Sequence, residues 1–254
     1  MRSIAALARS ILIEARRSGL PWLALGSVAL ALGLAGFLSQ VAITESLQLQ
    51  AAVSAAFLRA CAVFVLMTYV VTSTVREAND KGIELVLSLP VSRASYYLGK
   101  LCGFMLCGAA LAACFALPLL IWAPPGAVAF WGVSLAIETL LVAAASLFFS
   151  MALGQVLPSI AATAGLYLLA RVISAVQAIA GGPLAEPTLT HRMAQWTVDA
   201  LALVLPRLDA ATRTDWLLYG APSALEFGKL LAGLGIYTVL LIAAGLFDFK
   251  RRNL

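Results

Sequence analysis

The sequence predicts an all-α polytopic membrane protein: six transmembrane helices preceded by an interfacial elbow helix, with shorter helices in two of the connections. Three observations carry that expectation. Hydrophobic residues make up 62% of the 254-residue chain and charged residues 11%, where soluble domains carry about 25% charged residues. A chain this apolar cannot hide its surface in a soluble core, so the bilayer must be its solvent. Apolar runs long enough to cross a bilayer occupy residues 20–43, 51–73, 98–123, 128–150, 158–180 and 227–247. The Lys and Arg residues fall on alternate sides of these runs.

That alternation sets the expected orientation. Arg2, Arg9, Arg16 and Arg17 precede the first span, Arg76, Lys81, Arg93 and Lys100 lie between the second and third, and Lys250, Arg251 and Arg252 close the chain. The connections near Glu45 and at residues 124–126 hold no Lys or Arg. By the positive-inside rule both termini and the 74–97 connection are cytoplasmic. The connection before the last span, residues 181–226, is the exception, because Arg192, Arg207 and Arg213 stand there beside Glu186, Asp199, Asp209 and Asp215.

Residues 1–19 read as the elbow. Ile4, Leu7 and Ile11 form one stripe while Arg2, Arg9 and Arg16 recur every seventh residue on another. This pattern suits a helix lying in the interface with its arginines toward lipid headgroups, so membrane lipids are expected partners. A signal peptide fits less well, because the apolar run after Arg17 is too long and no cleavage site follows. A twin-arginine signal is a poor fit to the residues after Arg17.

Within the spans, the first is rich in small residues (Gly26, Gly33, Ala35, Gly36), and the third opens with a Gly99-x-x-x-Gly103 face of the kind that lets helices approach closely. Pro118 is expected to kink the third span near its far end. Arg59, Glu138 and Arg171, on the second, fourth and fifth spans, come out at similar depths at about 1.5 Å per residue. A lone charge there costs about 2.5–3.5 kcal/mol, so each is expected to seek a partner. Two readings stay open: an Arg–Glu pairing that locks helices together, or a polar lining of a substrate path. In the 181–226 segment Met193, Trp196, Ala200 and Val204 sit at helical spacing up to Pro206. That helix is too short to span and is expected to lie against the outer leaflet or neighbouring helices. Thr212 or Thr214 is placed to cap a second short helix carrying Trp216, Leu217 and Tyr219, with the aromatic rings as interface anchors.

Several chemistries have no visible seat. Cys61, Cys102, Cys107 and Cys114 all fall in spans without a CxxC pair, and His191 is the one histidine, so neither a disulfide framework nor a metal site is expected. No G-x-x-x-x-G-K-[ST] loop occurs, no set of facing carboxylates stands out, and no basic stretch interleaved with aromatics suggests nucleic acid. The chain is therefore expected to be a single domain, 1–254, and not itself an enzyme.

The chain's one long charged stretch between its first and last apolar runs is residues 74–100, TVREANDKGIELVLSLPVSRASYYLGK. Ile83, Val86, Leu87 and Pro90 fall at helical spacing on one face, and Glu77, Asp80, Lys81 and Glu84 on the other. Asn79 or Asp80 is placed to cap this short helix and Pro90 to end it. An ordinary solvated loop is the bland alternative.

This stretch resembles the cytoplasmic loop of ABC-2 type transporter permeases. Their pattern joins R-E, G-T-x-E-x-L-L-S-x-P-V-S-R and x-x-G-K between the second and third spans. Here Arg76-Glu77, Lys81-Gly82-Ile83-Glu84-Leu85-Val86-Leu87-Ser88-Leu89-Pro90-Val91-Ser92-Arg93 and Gly99-Lys100 occupy those places, with Ile83 where Thr is common. The outline of elbow, six spans and a larger segment before the last is similar too. The resemblance implies a bacterial cytoplasmic (inner) membrane protein that pairs with a second, identical permease and rests on two copies of a separate ABC ATPase. ATP and Mg would be bound by that ATPase, and this chain would bind no cofactor. Residues 81–89 would be the coupling helix, with Glu77, Lys81, Gly82, Glu84, Leu85, Leu87, Pro90 and Arg93 as the coupling set. The implied activity is export of an amphipathic substrate. The alternative is a mechanotransmitting or anchoring subunit that acts on an extracytoplasmic partner without passing a substrate.

Overall fold

The computed structural model describes residues 2–41, 46–80, 82, 92–180, 189–220 and 223–251. Helix α1 (Arg2–Arg17) leads through Gly19, at φ +83°, into α2 (Leu20–Val41). Pro21 sits in the first turn of α2, where its missing N–H is no loss. Helix α3 (Ser46–Asn79) runs for 34 residues, about 50 Å at the helical rise. It therefore extends beyond the apolar run at both ends. Residues 74–79 are its last turns, so Asn79 ends a helix rather than capping a new one, a correction to the expected start of the charged excursion.

Helix α4 (Arg93–Ala116) begins at Ser92, whose Oγ accepts the Ser95 N–H at 3.1 Å. At Pro118 the chain tightens into a 3₁₀ turn, Leu117–Ile121. The expected break is thus a change of helix type, since proline cannot donate to the preceding turn. Helix α5 (Pro125–Leu153) ends at Gly154, which adopts φ +66° and donates its N–H to Ser150 O. Helix α6 (Val156–Ala180) follows at once, with Pro158 in its first turn. Then come α7 (Leu189–Val204), the one-turn helices α8 (Leu208–Ala211) and α9 (Trp216–Tyr219), and α10 (Ala224–Arg251).

Among the described residues six helices are long and apolar enough to cross a membrane: α2, α3, α4 with its 3₁₀ turn, α5, α6 and α10. The chain is a multi-pass membrane protein built around α3 and α5. Of their apolar stretches 56% and 61% are buried, against 22% for α2 and α6 and 17% for α10. The outer helices turn Leu, Val, Ile and Phe side chains outward, among them Leu30, Phe37, Leu168, Val239 and Phe247. In a bilayer that surface needs no further cover, because the backbone polar groups are satisfied within each helix.

The core joins Tyr96, Tyr97, Phe104 and Phe115 of α4 to Leu58 and Leu66 of α3 and Trp131 and Leu135 of α5. Helix α1 is part of this body. Its Ile11 is buried, and Leu7 and Ile11 lie on Gly99 and Gly103, where an added Cβ would come within 2.8 and 2.7 Å of their Cβ atoms. The small-residue face of α4 thus receives α1. The Tyr69 hydroxyl donates to Ile11 O at 3.0 Å, and the Ser73 hydroxyl to Glu14 at 2.9 Å, fixing α1 on α3 as well.

Candidate functional site

The charges expected at similar depth in three spans do meet. Glu138 of α5 is fully buried and Arg59 of α3 is 1% exposed, and Arg59 Nη1 donates to Glu138 Oε2 at 2.5 Å. Arg171 of α6 reaches the other carboxylate oxygen, Oε1, at 3.3 Å, and the Tyr167 hydroxyl donates to that same oxygen at 2.9 Å. Arg59 Nη2 donates to Ser134 Oγ at 2.9 Å, and the guanidinium carbon lies 5.0 Å from the Trp131 ring centre. One carboxylate is therefore held by three donors, and the cation opposite it is held by a hydroxyl and an aromatic face.

The helical repeat explains who joins. Ser134 and Glu138 are four residues apart on α5, and Tyr167 and Arg171 are four apart on α6, so each pair shares a face. The fourth wall comes from the segment after α7. Leu208 and Ala211 pack with Leu141, Ala170 and Leu234, which seats Thr212 beside Arg171, and Arg171 Nη1 reaches its Oγ1 at 3.0 Å. Thr212 in turn donates to Leu208 O at 2.7 Å. So Thr212 closes the charge cluster and ends α8 instead of capping the helix that carries Trp216; the N-cap of α9 is Asp215, which makes no side-chain cap bond. Trp216 and Leu217 are buried, Trp216 meeting Phe227 edge-on at 5.5 Å. This corrects the expectation that Trp216 is an interface anchor. Trp196, by contrast, is 76% exposed, and Met193 and Val204 face outward with it, away from the neighbouring helices.

The cluster carries two cations for one anion. Arg171, with 31% of its side chain exposed, is the charge that keeps access to surroundings. Arg59 is enclosed on every side. Nothing here offers a nucleophile beside a base, and among the described residues no three His, Cys, Asp or Glu gather as metal ligands would.

A second charged cluster lies at the other end of α3. Glu77 accepts from Lys100 Nζ on Oε2 and from the Tyr96 hydroxyl on Oε1, the latter at 2.6 Å. Lys100 is 2% exposed, with its ammonium 5.6 Å from the Tyr96 ring centre and 5.8 Å from that of Phe104. Both ends of the connection between α3 and α4 are tied together this way. Phe249 of α10 stacks on Tyr96 at 5.8 Å, and Arg93 Nη1 donates to Lys250 O at 3.3 Å, so α10 joins the same base.

Of the coupling set, Glu77 and Arg93 thus stand on α3 and α4, and Gly82 is helical with its Cα turned to Glu77. A Cβ there would lie 2.9 Å from Glu77 Cγ and 3.3 Å from Glu77 O. Lys81, Glu84, Leu85, Leu87 and Pro90 lie outside the described residues. Sequence reasoning missed Tyr167, Thr212 and Ser134 as partners of the buried charges. The i, i+4 spacing of Tyr167 to Arg171 and Ser134 to Glu138 was the available signal for two of them. In comparisons with known proteins, no family model matches the chain and no curated protein does.

Proposed function

We propose that this chain is the permease subunit of an ABC-2 type transporter in a bacterial cytoplasmic membrane. In this reading two identical copies sit on two copies of a separate ATPase that binds ATP and Mg, and together they export an amphipathic substrate. The observation that carries the reading is the tie of Glu77 to Lys100 and Tyr96 at the base of the 81–91 connection. The family-like motif is in that connection, and a helix docked in an ATPase groove can move the membrane helices only if it hangs from a rigid base. The Glu77 tie makes α3 and α4 one body there. Helix α3 then runs 18 residues back to Arg59, about 27 Å, ending the lever inside the buried charge cluster.

In this reading Lys81, Glu84, Leu85, Leu87 and Pro90 form the docking surface, with Gly82 letting the chain close onto Glu77. The elbow helix α1 lies in the interface with Arg9 and Arg16 outward, both exposed.

A second reading, force transmission to an extracytoplasmic partner without substrate passage, is favoured by one observation. Arg59 and Glu138 are enclosed together, with both Arg59 Nη groups and both Glu138 oxygens bonded to protein groups, as a lock between helices would be. The test is purification of the tagged chain from its own cells in mild detergent, with its companions identified by mass spectrometry. A stoichiometric subunit carrying a phosphate loop is expected. Recovery of the chain without any ATPase under several mild conditions would overturn the proposal, and an additional extracytoplasmic protein in the complex would shift it to the second reading.

A further inference from the structure

A groove of about 800 Å³ runs between α1, α2 and α3 and shares no lining residue with either charge cluster. Its long wall is one face of α3, from Phe57 through Phe64 to Arg76, and its opposite wall includes Leu23 of α2. The nineteen-residue step from Phe57 to Arg76 is about 28 Å, longer than the roughly 15 Å of one leaflet's hydrocarbon. Phe64 and Leu23 are 62% and 60% exposed, so the groove is open along its side to the membrane.

Its two ends differ in chemistry. One is apolar. At the other, Arg17 stands at the end of α1, just before α2 begins, and Arg76 stands three residues before the end of α3. Both therefore sit at the edge of the membrane-crossing stretch, at headgroup depth. Glu14 also lines this end. It accepts from Ser73 and lies 3.8 Å from an Arg76 side chain that is 73% exposed, and with Arg17 lining the same end this mouth holds two guanidinium groups for one carboxylate.

We infer that this groove is a binding site for one anionic phospholipid, its phosphate between Arg17 and Arg76 and an acyl chain along the Phe57–Phe64 wall. Guanidinium groups hold phosphate oxygens in a bidentate fork, and a cationic mouth over an apolar trough matches a lipid with a negative headgroup better than a zwitterionic one. The inference rests on the six membrane-crossing helices and not on the transport reading, so either can fail alone.

The test is native mass spectrometry of the full detergent-purified chain offered equal amounts of phosphatidylglycerol and phosphatidylcholine. Retention of one phosphatidylglycerol in preference to phosphatidylcholine is expected. Replacing Arg17 and Arg76 with Ala should erase that preference, by about fivefold for each charge removed, while the Arg17→Lys, Arg76→Lys variant keeps most of it. Ala60→Trp, which fills the groove from α3 without touching its charges, should eject the lipid. Equal retention of the two lipids by the wild-type chain would overturn the proposal. So would a preference that survives both the double alanine variant and Ala60→Trp, because the lipid would then be bound elsewhere.

Discussion

Arg59 and Glu138 meet at 2.5 Å with 1% and 0% of their side chains exposed, an ion pair enclosed between two helices that each cross the apolar layer. Removing two charges from water is expensive, and their attraction offsets that only while both are present. Glu138→Ala leaves the Arg59 and Arg171 guanidinium groups facing each other without the anion, and is expected to destabilise the protein by about 3–5 kcal/mol. Arg59→Leu combined with Glu138→Leu should be closer to wild type than either single change, since the one charge it leaves without its partner, Arg171, keeps 31% of its side chain exposed. Thermal unfolding of the purified variants decides this. A double variant less stable than both singles would mean the pair is net stabilising in this protein.

Arg171 should behave differently. Its contact to Glu138 is longer, at 3.3 Å, and 31% of its side chain is exposed. Arg171→Ala is expected to unfold at a temperature much nearer wild type than Glu138→Ala does. On the transport reading, with a cation required in the pathway, the same variant loses export while keeping ATPase activity in the purified complex. Retained export would assign the whole cluster to helix locking.

Much of this site was legible before the structure. The depth of Arg59, Glu138 and Arg171 follows from counting along three spans, because a helix in a bilayer converts residue number directly into height. Of their partners, Tyr167 was marked only by its four-residue spacing from Arg171 and Thr212 not at all, since ordinary hydroxyls carry no penalty that marks them in a sequence. Thr212 in particular arrives through the packing of Leu208 and Ala211, which no local pattern encodes. The six spans were legible for the same reason as the depths. For Glu77 the sequence marked only a place on the polar face of an amphipathic stretch, and its pairing with Lys100 across a connection of a dozen residues was not legible, because no local pattern joins the two.

That inward tie makes a prediction about the base of the connection. Lys100 is 2% exposed, so Glu77→Ala would bury an uncompensated ammonium, whereas Tyr96→Phe removes one hydrogen bond, at about 1 kcal/mol. Hydrogen exchange should rise across residues 74–80 and 92–100 in Glu77→Ala and change little in Tyr96→Phe. On the transport reading Glu84→Lys and Gly82→Pro uncouple ATPase turnover from export with the protein still in the membrane. If both work normally, residues 81–89 are not the coupling helix.

The seat of α1 on α4 is tested at Gly103. A Cβ at this position would lie 2.7 Å from the Ile11 Cβ and 3.0 Å from its Cγ2, neither of them the free end of a long side chain. Gly103→Leu is expected to lift α1 from the bundle, exposing residues 2–17 to protease while the six spans stay folded. Tyr69→Phe, which removes the bond to Ile11 O, should loosen α1 in the same direction and by less. Protection of α1 unchanged in Gly103→Leu would show that the helix is held by something other than this glycine face.

The last prediction concerns Tyr97, whose ring lies over Gly245 of α10. Its hydroxyl is buried with no hydrogen-bond partner among the described residues, and a Cβ on Gly245 would run into that hydroxyl and the ring beneath it. Burying an unpaired hydroxyl is unfavourable by about 1–3 kcal/mol, so Tyr97→Phe should leave the unfolding temperature unchanged or raise it. Gly245→Ala should lower it, because α10 must back away from α4 and from the Phe249 contacts at the same end. The two changes share one space, so they are expected to be non-additive, with Tyr97→Phe recovering part of the Gly245→Ala loss. Additive effects would mean the two helices have more room at this crossing than the ring and the glycine leave them. A marked loss in Tyr97→Phe alone would mean that the hydroxyl has a partner, and a water or lipid atom between α4 and α10 would be the group to look for.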